Sequence, residues 1–147
     1  MRTSSSYIQF YLRLALGVGF LVPGLDRLGV WGAPGGPNIS WGDWQHFSDY
    51  AHKVMSFLPG GLAEALAILA TAGELLFGIL LIIGWKTRLA AAGSGLLAFC
   101  FAMSMMVSFG VTSPLSYSVF VVSAGSLLLA TIPDYPFSID NRLKHQS

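Results

Sequence analysis

The sequence predicts an all-α fold: an integral membrane four-helix bundle with an amphipathic helix in its first outer loop. Three observations carry that expectation. Charged residues make up 10% of the 147-residue chain and apolar residues 54%, whereas soluble domains carry about 25% charged residues. Mean hydropathy is +0.64, and apolar runs near 20 residues, about the length that crosses a bilayer core, recur along the chain. Residues 89–133 contain no charged side chain at all. The formal net charge is +1, and no basic run is long enough to follow a nucleic-acid backbone, so nucleic acid is not an expected partner.

A single transmembrane domain over 1–147 accommodates four spans in order. The first is expected over 7–28. It holds Arg13, ends at Asp26 and Arg27, and should bend at Pro23, which has no backbone donor. Arg13 also interrupts what would be a signal-peptide core, and no small-residue cleavage site follows, so the N-terminus reads as a retained helix. The second span is expected over 62–85. The uncharged stretch after it is too long for one helix and about right for two. Gly110, Val111, Thr112, Ser113 and Pro114 supply the break, giving spans at 89–109 and 115–132.

The outer loop, 29–61, opens with Gly32-Ala33-Pro34-Gly35-Gly36-Pro37-Asn38, which excludes regular structure. A Ser-x-x-Asp start signal follows, with Ser40 expected to cap a helix and Asp43 to return the bond. Trp44, Phe47, Ala51, Val54, Met55 and Leu58 recur on one face, opposite Asp43, Gln45, His46, Asp49, His52 and Lys53. Such a helix would lie in the interface or cap the mouth of the bundle before ending near Pro59-Gly60-Gly61.

Charge placement orients the chain. Putting both termini and the 85–89 turn on the cytoplasmic side collects Arg2, Arg13, Lys86, Arg88, Arg142 and Lys144 there, against Arg27 and Lys53 opposite. Tyr7, Trp31, Trp85 and Tyr135 would mark the interfaces. Small residues at four-residue spacing would let helices approach closely in lipid: Ala63, Ala67 and Thr71, then Ser94, Ala98 and Ala102, then Ser126 and Ala130.

The candidate chemistry starts at Glu74, which stands in the apolar run Ala72-Gly73-Glu74-Leu75-Leu76-Phe77-Gly78. A charge at a bilayer centre costs roughly 3 kcal/mol on insertion scales, so such acids face a partner or a cavity. Glu74 should lie roughly 18 Å from the outer end of its span. Arg13, roughly 9 Å from the other end of the first span, is its expected partner. A structural Arg13–Glu74 pair, a neutral satisfied Glu74, and a working role in proton transfer or ligand binding all remain open. Asp26, Arg27 and Glu64 form a second expected cluster at the outer helix ends, where charge pairs serve mainly as anchors. Arg13, Glu74, Asp26, Arg27 and Glu64 are thus the candidates for a ligand-binding or buried polar site. No catalytic residue is assigned.

Other constellations are weaker. Cys100 is the only cysteine, so no internal disulfide or Cys-x-x-Cys pair can form. Cys100, Met103 and Met106 share a loose face better read as core packing than as a soft-metal site. His46 and Asp49 lack a third ligand, and no metal is expected. His46, His52 and His145 fall outside the spans, which leaves no bis-histidine haem, and phosphate-loop or dinucleotide motifs are missing. Redox chemistry would need a bound quinone or the cofactor of another membrane or redox protein. A small transporter would show discontinuous helices, at which only Pro23 hints.

Arg13-Leu14-Ala15-Leu16-Gly17, Gly24-Leu25-Asp26-Arg27-Leu28, Gly73-Glu74 and Gly84-Trp85-Lys86-Thr87-Arg88-Leu89-Ala90-Ala91 together resemble the DoxX family of small bacterial membrane proteins. The specific part is a mid-span glutamate followed ten residues later by a Gly-x-x-Thr-Arg-x-Ala turn. The resemblance covers about 13–130. It implies a four-span bundle in the bacterial cytoplasmic (inner) membrane. It also implies association, in some relatives, with quinone-linked sulfur oxidation or with membrane complexes for oxidative-stress defence. Arg27 stands where the family often has lysine, and the long tryptophan-bearing outer loop is a subgroup feature.

Overall fold

A computed structural model describes residues 2–144, with side chains from residue 5 onward. His145 and the Arg2 side chain lie outside the described residues. The described chain is helical, with no strand: α1 (Arg2–Asp26), α2 (Trp44–Val54), α3 (Gly60–Ile83), α4 (Thr87–Phe109), α5 (Thr112–Ser116), α6 (Val119–Thr131) and α7 (Ile139–Lys144). Within α1 the segment Ser5–Asp26, together with α3 and α4, is long and apolar enough to cross a membrane. Their outward faces carry Ile8, Val18, Leu69, Leu76, Leu89 and Leu96, all exposed. Such surfaces suit lipid, where the helix satisfies its own backbone and hydrophobic side chains need no cover.

The last apolar stretch is discontinuous. Instead of one helix over 115–132, the chain forms α5 and then α6, separated at Tyr117 and Ser118, the latter left-handed at φ 55°. Pro114 lies inside α5 rather than before a long helix. α6 packs chiefly against α4, α4 against α3, and α3 against α1. Leu16, Phe20, Leu81, Ala98, Met105 and Leu129 join these helices in one buried cluster.

Glycine sets the closest approach. At the α1–α3 crossing, a Cβ placed on Gly78 would lie 3.0 Å from the Gly17 carbonyl oxygen and 3.1 Å from the Leu21 nitrogen. The two backbones therefore touch where a side chain would hold them apart. The small-residue rows also face inward: Ala63, Ala67, Thr71, Ser94, Ala98, Ala102 and Ser126 are buried, and Ala130 is half-buried.

In the loop between α1 and α3 the helix begins later than the start signal suggests. Asp43, not Ser40, is the cap, accepting from the His46 amide at 2.9 Å and contacting His46 Nδ1 at 2.8 Å. The backbone amides of Ser40 and Trp41 instead donate to Asp26 Oδ2 at 3.0 and 2.8 Å, which draws the loop down onto the end of α1. The hydrogen bond from His46 holds the Asp43 carboxyl below its ordinary value. A depressed carboxyl stabilises the fold fully above its ordinary pKa and loses that contribution as pH falls through the lowered one. Acidification into that range should therefore fray the first turn of α2. Hydrogen exchange checks this: Asp43→Ala should speed exchange at the His46 amide already at neutral pH, while Asp43→Asn, which still accepts, should not.

The C-terminal segment folds back under the α3–α4 turn. Asp140 accepts from the Lys86 and Thr87 amides at 2.8 and 2.7 Å, capping α4 from a distance, and its own amide donates to Gly84 O at 3.0 Å. Gly84 is left-handed at φ 71°, and a Cβ there would meet Arg13 Nη1 at 2.6 Å, so glycine is required by both backbone and space. Tyr135 is buried here, its hydroxyl donating to Leu129 O at 3.1 Å, rather than standing at an interface as the sequence suggested. Trp31, Trp85 and Tyr7 are exposed.

Candidate functional site

Glu74 faces Arg27. Arg27 Nη1 lies 2.8 Å from Glu74 Oε2, and Nη2 donates to Oε1 at 3.3 Å; the two side chains are 7% and 16% exposed. Arg27 Nη1 also donates to Thr71 Oγ1 at 2.8 Å, and the guanidinium stands over the Phe47 ring at 3.7 Å from its centre. Thr71 and Glu74 are three residues apart on α3 and therefore present one face. Phe47 comes from α2, so the ion pair joins the end of α1, the middle of α3 and the helix of the loop between them.

The expected Arg13–Glu74 pair does not form, for a geometric reason. α1 and α3 run antiparallel, with Gly17 level with Gly78 and Arg13 level with Gly84. Glu74 is ten residues before Gly84, roughly 15 Å along the helix. Arg13 is fully buried at the opposite end, donating from Nη2 to Phe137 O at 2.6 Å.

Nor do Asp26, Arg27 and Glu64 form one cluster. α3 begins well beyond the end of α1, and its first turns pack against α2. Glu64 there accepts from Trp44 Nε1 at 2.9 Å and from Ser48 Oγ, with His52 Nε2 3.4 Å away. Glu64 thus fastens α2 to α3, Asp26 fastens the loop, and both hold the roof over Arg27–Glu74.

Two cavities meet at this pair. The larger, about 540 Å³, is lined by Phe20, Trp41, Tyr50, Phe101 and Tyr117 among others, together with Arg27 and Glu74. Gly19 and Pro23 also border it, and the Pro23 ring has no N–H to offer the Gly19 carbonyl. Burial pushes the Tyr50 phenol above its usual value. The second, about 300 Å³, shares Arg27, Glu74, Ala70, Leu97 and Phe101 and continues to Leu66, Leu69 and Cys100 on the outward side of α3 and α4. Among the described residues, two buried polar atoms of the pair have no hydrogen-bond partner: Glu74 Oε2, which keeps its 2.8 Å ion-pair contact with Arg27, and Arg27 Nε. Such atoms call for water or a ligand group.

Sequence reasoning missed Thr71, Phe47, Tyr50 and Trp41 as neighbours of Glu74. The spacing of Thr71 and Glu74 was a usable signal, since both face the same way on a helix. His46 meets Asp43 while Asp49 accepts from Gln45, and among the described residues no three His, Cys, Asp or Glu side chains converge.

Comparison with curated proteins and with solved structures finds no match. The DoxX family model matches residues 8–109, more than two thirds of the chain, including Arg27, Thr71 and Glu74. With that match and three helices of spanning length and apolarity, the chain is a membrane protein that belongs to the DoxX family.

Proposed function

We propose that this protein is a ligand-binding accessory component of a bacterial inner membrane, holding a small amphiphile at Arg27 and Glu74. In this reading the chain is one domain that crosses the bilayer four times, α5 and α6 together making the last crossing. Both termini are cytoplasmic, and α2 with the loop before it roofs the site on the outer side. The observation that carries the reading is a buried ion pair with open polar atoms at the junction of two cavities, one aromatic and one leading toward the lipid-facing side of α3 and α4. An apolar cavity with a few convergent polar groups is the usual form of a small-molecule site. A polar head group would engage Arg27 Nε and Glu74 Oε2, and an apolar tail would leave between α3 and α4.

A second reading, a quinone-linked oxidoreductase subunit with Glu74 handling protons, is favoured by the aromatic lining, which suits a flat ring. A quinone head group fits the donor set, because its carbonyls accept hydrogen bonds and Arg27 and Tyr50 can supply them. Bound there, the quinone would supply the redox chemistry. Arg27 and Tyr50 would orient it, and Glu74 would hold a proton at Oε2.

The test is extraction of the full chain in mild detergent and mass spectrometry of small molecules retained by wild type, Glu74→Gln and Tyr50→Phe. Wild type should keep a lipophilic compound that both variants lose by about tenfold, the worth of roughly one hydrogen bond. Equal retention in all three, or none in wild type, would sink the proposal. Quinone reduction lost in Glu74→Gln would select the second reading.

A further inference from the structure

A different cavity, of about 350 Å³, opens at the α3–α4 turn, more than ten residues along α3 from Glu74. Lys86, Thr87, Arg88, Pro133, Asp140 and Lys144 are among its lining residues. Three of these are cations and one is a carboxylate. The carboxylate is already engaged, because both Asp140 oxygens accept backbone amides of the α4 start. Lys144 pairs with Asp134 at 2.7 Å, and Arg88, which lines the cavity, donates from Nη2 to Ile132 O at 3.4 Å.

Thr87 supplies an independent sign of a ligand. It is fully buried, it lines the cavity, and its Oγ1 has no hydrogen-bond partner among the described residues. A buried hydroxyl is ordinarily bonded, and leaving one open costs about 1–3 kcal/mol. The first intrahelical bond of α4 runs from the Ala90 amide to Lys86 O, so the amides of Arg88 and Leu89 precede it at the positive end of the helix dipole. Hydroxyl, leading amides and cationic side chains together suit a tetrahedral oxyanion.

Position narrows the source. α3 ends at Ile83 and α4 begins at Thr87, so the cavity lies where two apolar helices leave the hydrocarbon, with Trp85 exposed beside it and Lys86 Nζ 5.6 Å from the Trp85 ring centre. Exposed tryptophan marks the head-group level, and basic pockets at that level engage anionic lipid head groups. The geometry points to a binding site for a phosphate group, presented by an anionic phospholipid of the adjacent leaflet. The site is independent of the one at Arg27 and Glu74, although it shares the membrane reading.

The experiment uses the full chain in neutral detergent and measures binding of short-chain phosphatidylglycerol and phosphatidylcholine by Trp fluorescence. Wild type should prefer phosphatidylglycerol by about tenfold or more, the worth of one to two cations near a membrane surface. K86Q/R88Q should lose that preference. Thr87→Val, a near-isosteric change inside the cavity, should weaken binding severalfold and serves as the second variant should the first fold poorly. Arg142→Gln, a cation at the same end outside this cavity, should keep it. Inorganic phosphate that competes at millimolar concentration identifies the phosphate group itself as the recognised unit. Preference for phosphatidylglycerol without such competition assigns the site to the lipid-borne group. No preference in wild type, or equal loss in R142Q and K86Q/R88Q, overturns the site.

Discussion

Replacing Arg27 by methionine is expected to destabilise the protein by about 3–5 kcal/mol, because it leaves Glu74 buried without its counter-charge. The same change removes the hydrogen bond to Thr71 and the contact with Phe47, so α2 should loosen together with the bundle. The double variant R27M/E74L, which removes both charges and keeps apolar bulk, should recover all but about 1–2 kcal/mol, since a buried pair is worth much less than either charge left alone. Unfolding by SDS in mixed micelles measures both. A double variant as unstable as R27M would show that the ion pair is not the energetic unit at this site. E74Q should be milder than R27M, because the amide oxygen still accepts from Arg27.

The second large effect is expected at the α1–α3 crossing. Gly78→Leu must push apart two backbones that would hold even a bare Cβ tightly, with Gly17 O at 3.0 Å and Leu21 N at 3.1 Å. Overpacking of this kind costs about 3 kcal/mol or more when the obstacle is backbone that cannot turn aside. Gly78→Ala should cost about 1 kcal/mol, since a shift of a few tenths of an ångström accommodates it. Glu74 lies one turn before Gly78, so separating the helices should also pull its carboxylate away from Arg27. The same SDS titration checks stability, and ligand retention checks the site. G78L with wild-type stability would mean that the helices part there without loss.

The three long apolar helices were legible because composition and run length need no tertiary information, whereas the break of 115–132 into α5 and α6 was not. The stretch 60–83 is apolar enough to read directly, and the Trp85–Arg88 turn falls between α3 and α4. Glu74 was legible as a buried, paired carboxylate for the same reason: an acid stands out in such a run. Its partner was not. Pairing depends on how far one helix slides along another, and that register is set by the Gly17–Gly78 contact, which has no hydrophobic signature. α3 also begins far beyond the end of α1, which brings Arg27 beside the middle of α3. Ser40 misled as a cap because its amide is taken by Asp26, 14 residues earlier, a contact no local pattern encodes.

The cap on α4 has a consequence in time. Thr87 receives its acceptor from Asp140, 53 residues later in the chain, and ribosomes add about 5–20 residues per second. For several seconds of synthesis, α3 and α4 must thus exist as a hairpin whose connecting turn is unfinished, with the Lys86 and Thr87 amides turned to interfacial water. The same late segment brings Phe137 O to Arg13, so α1 and the start of α4 both wait on one later stretch of chain.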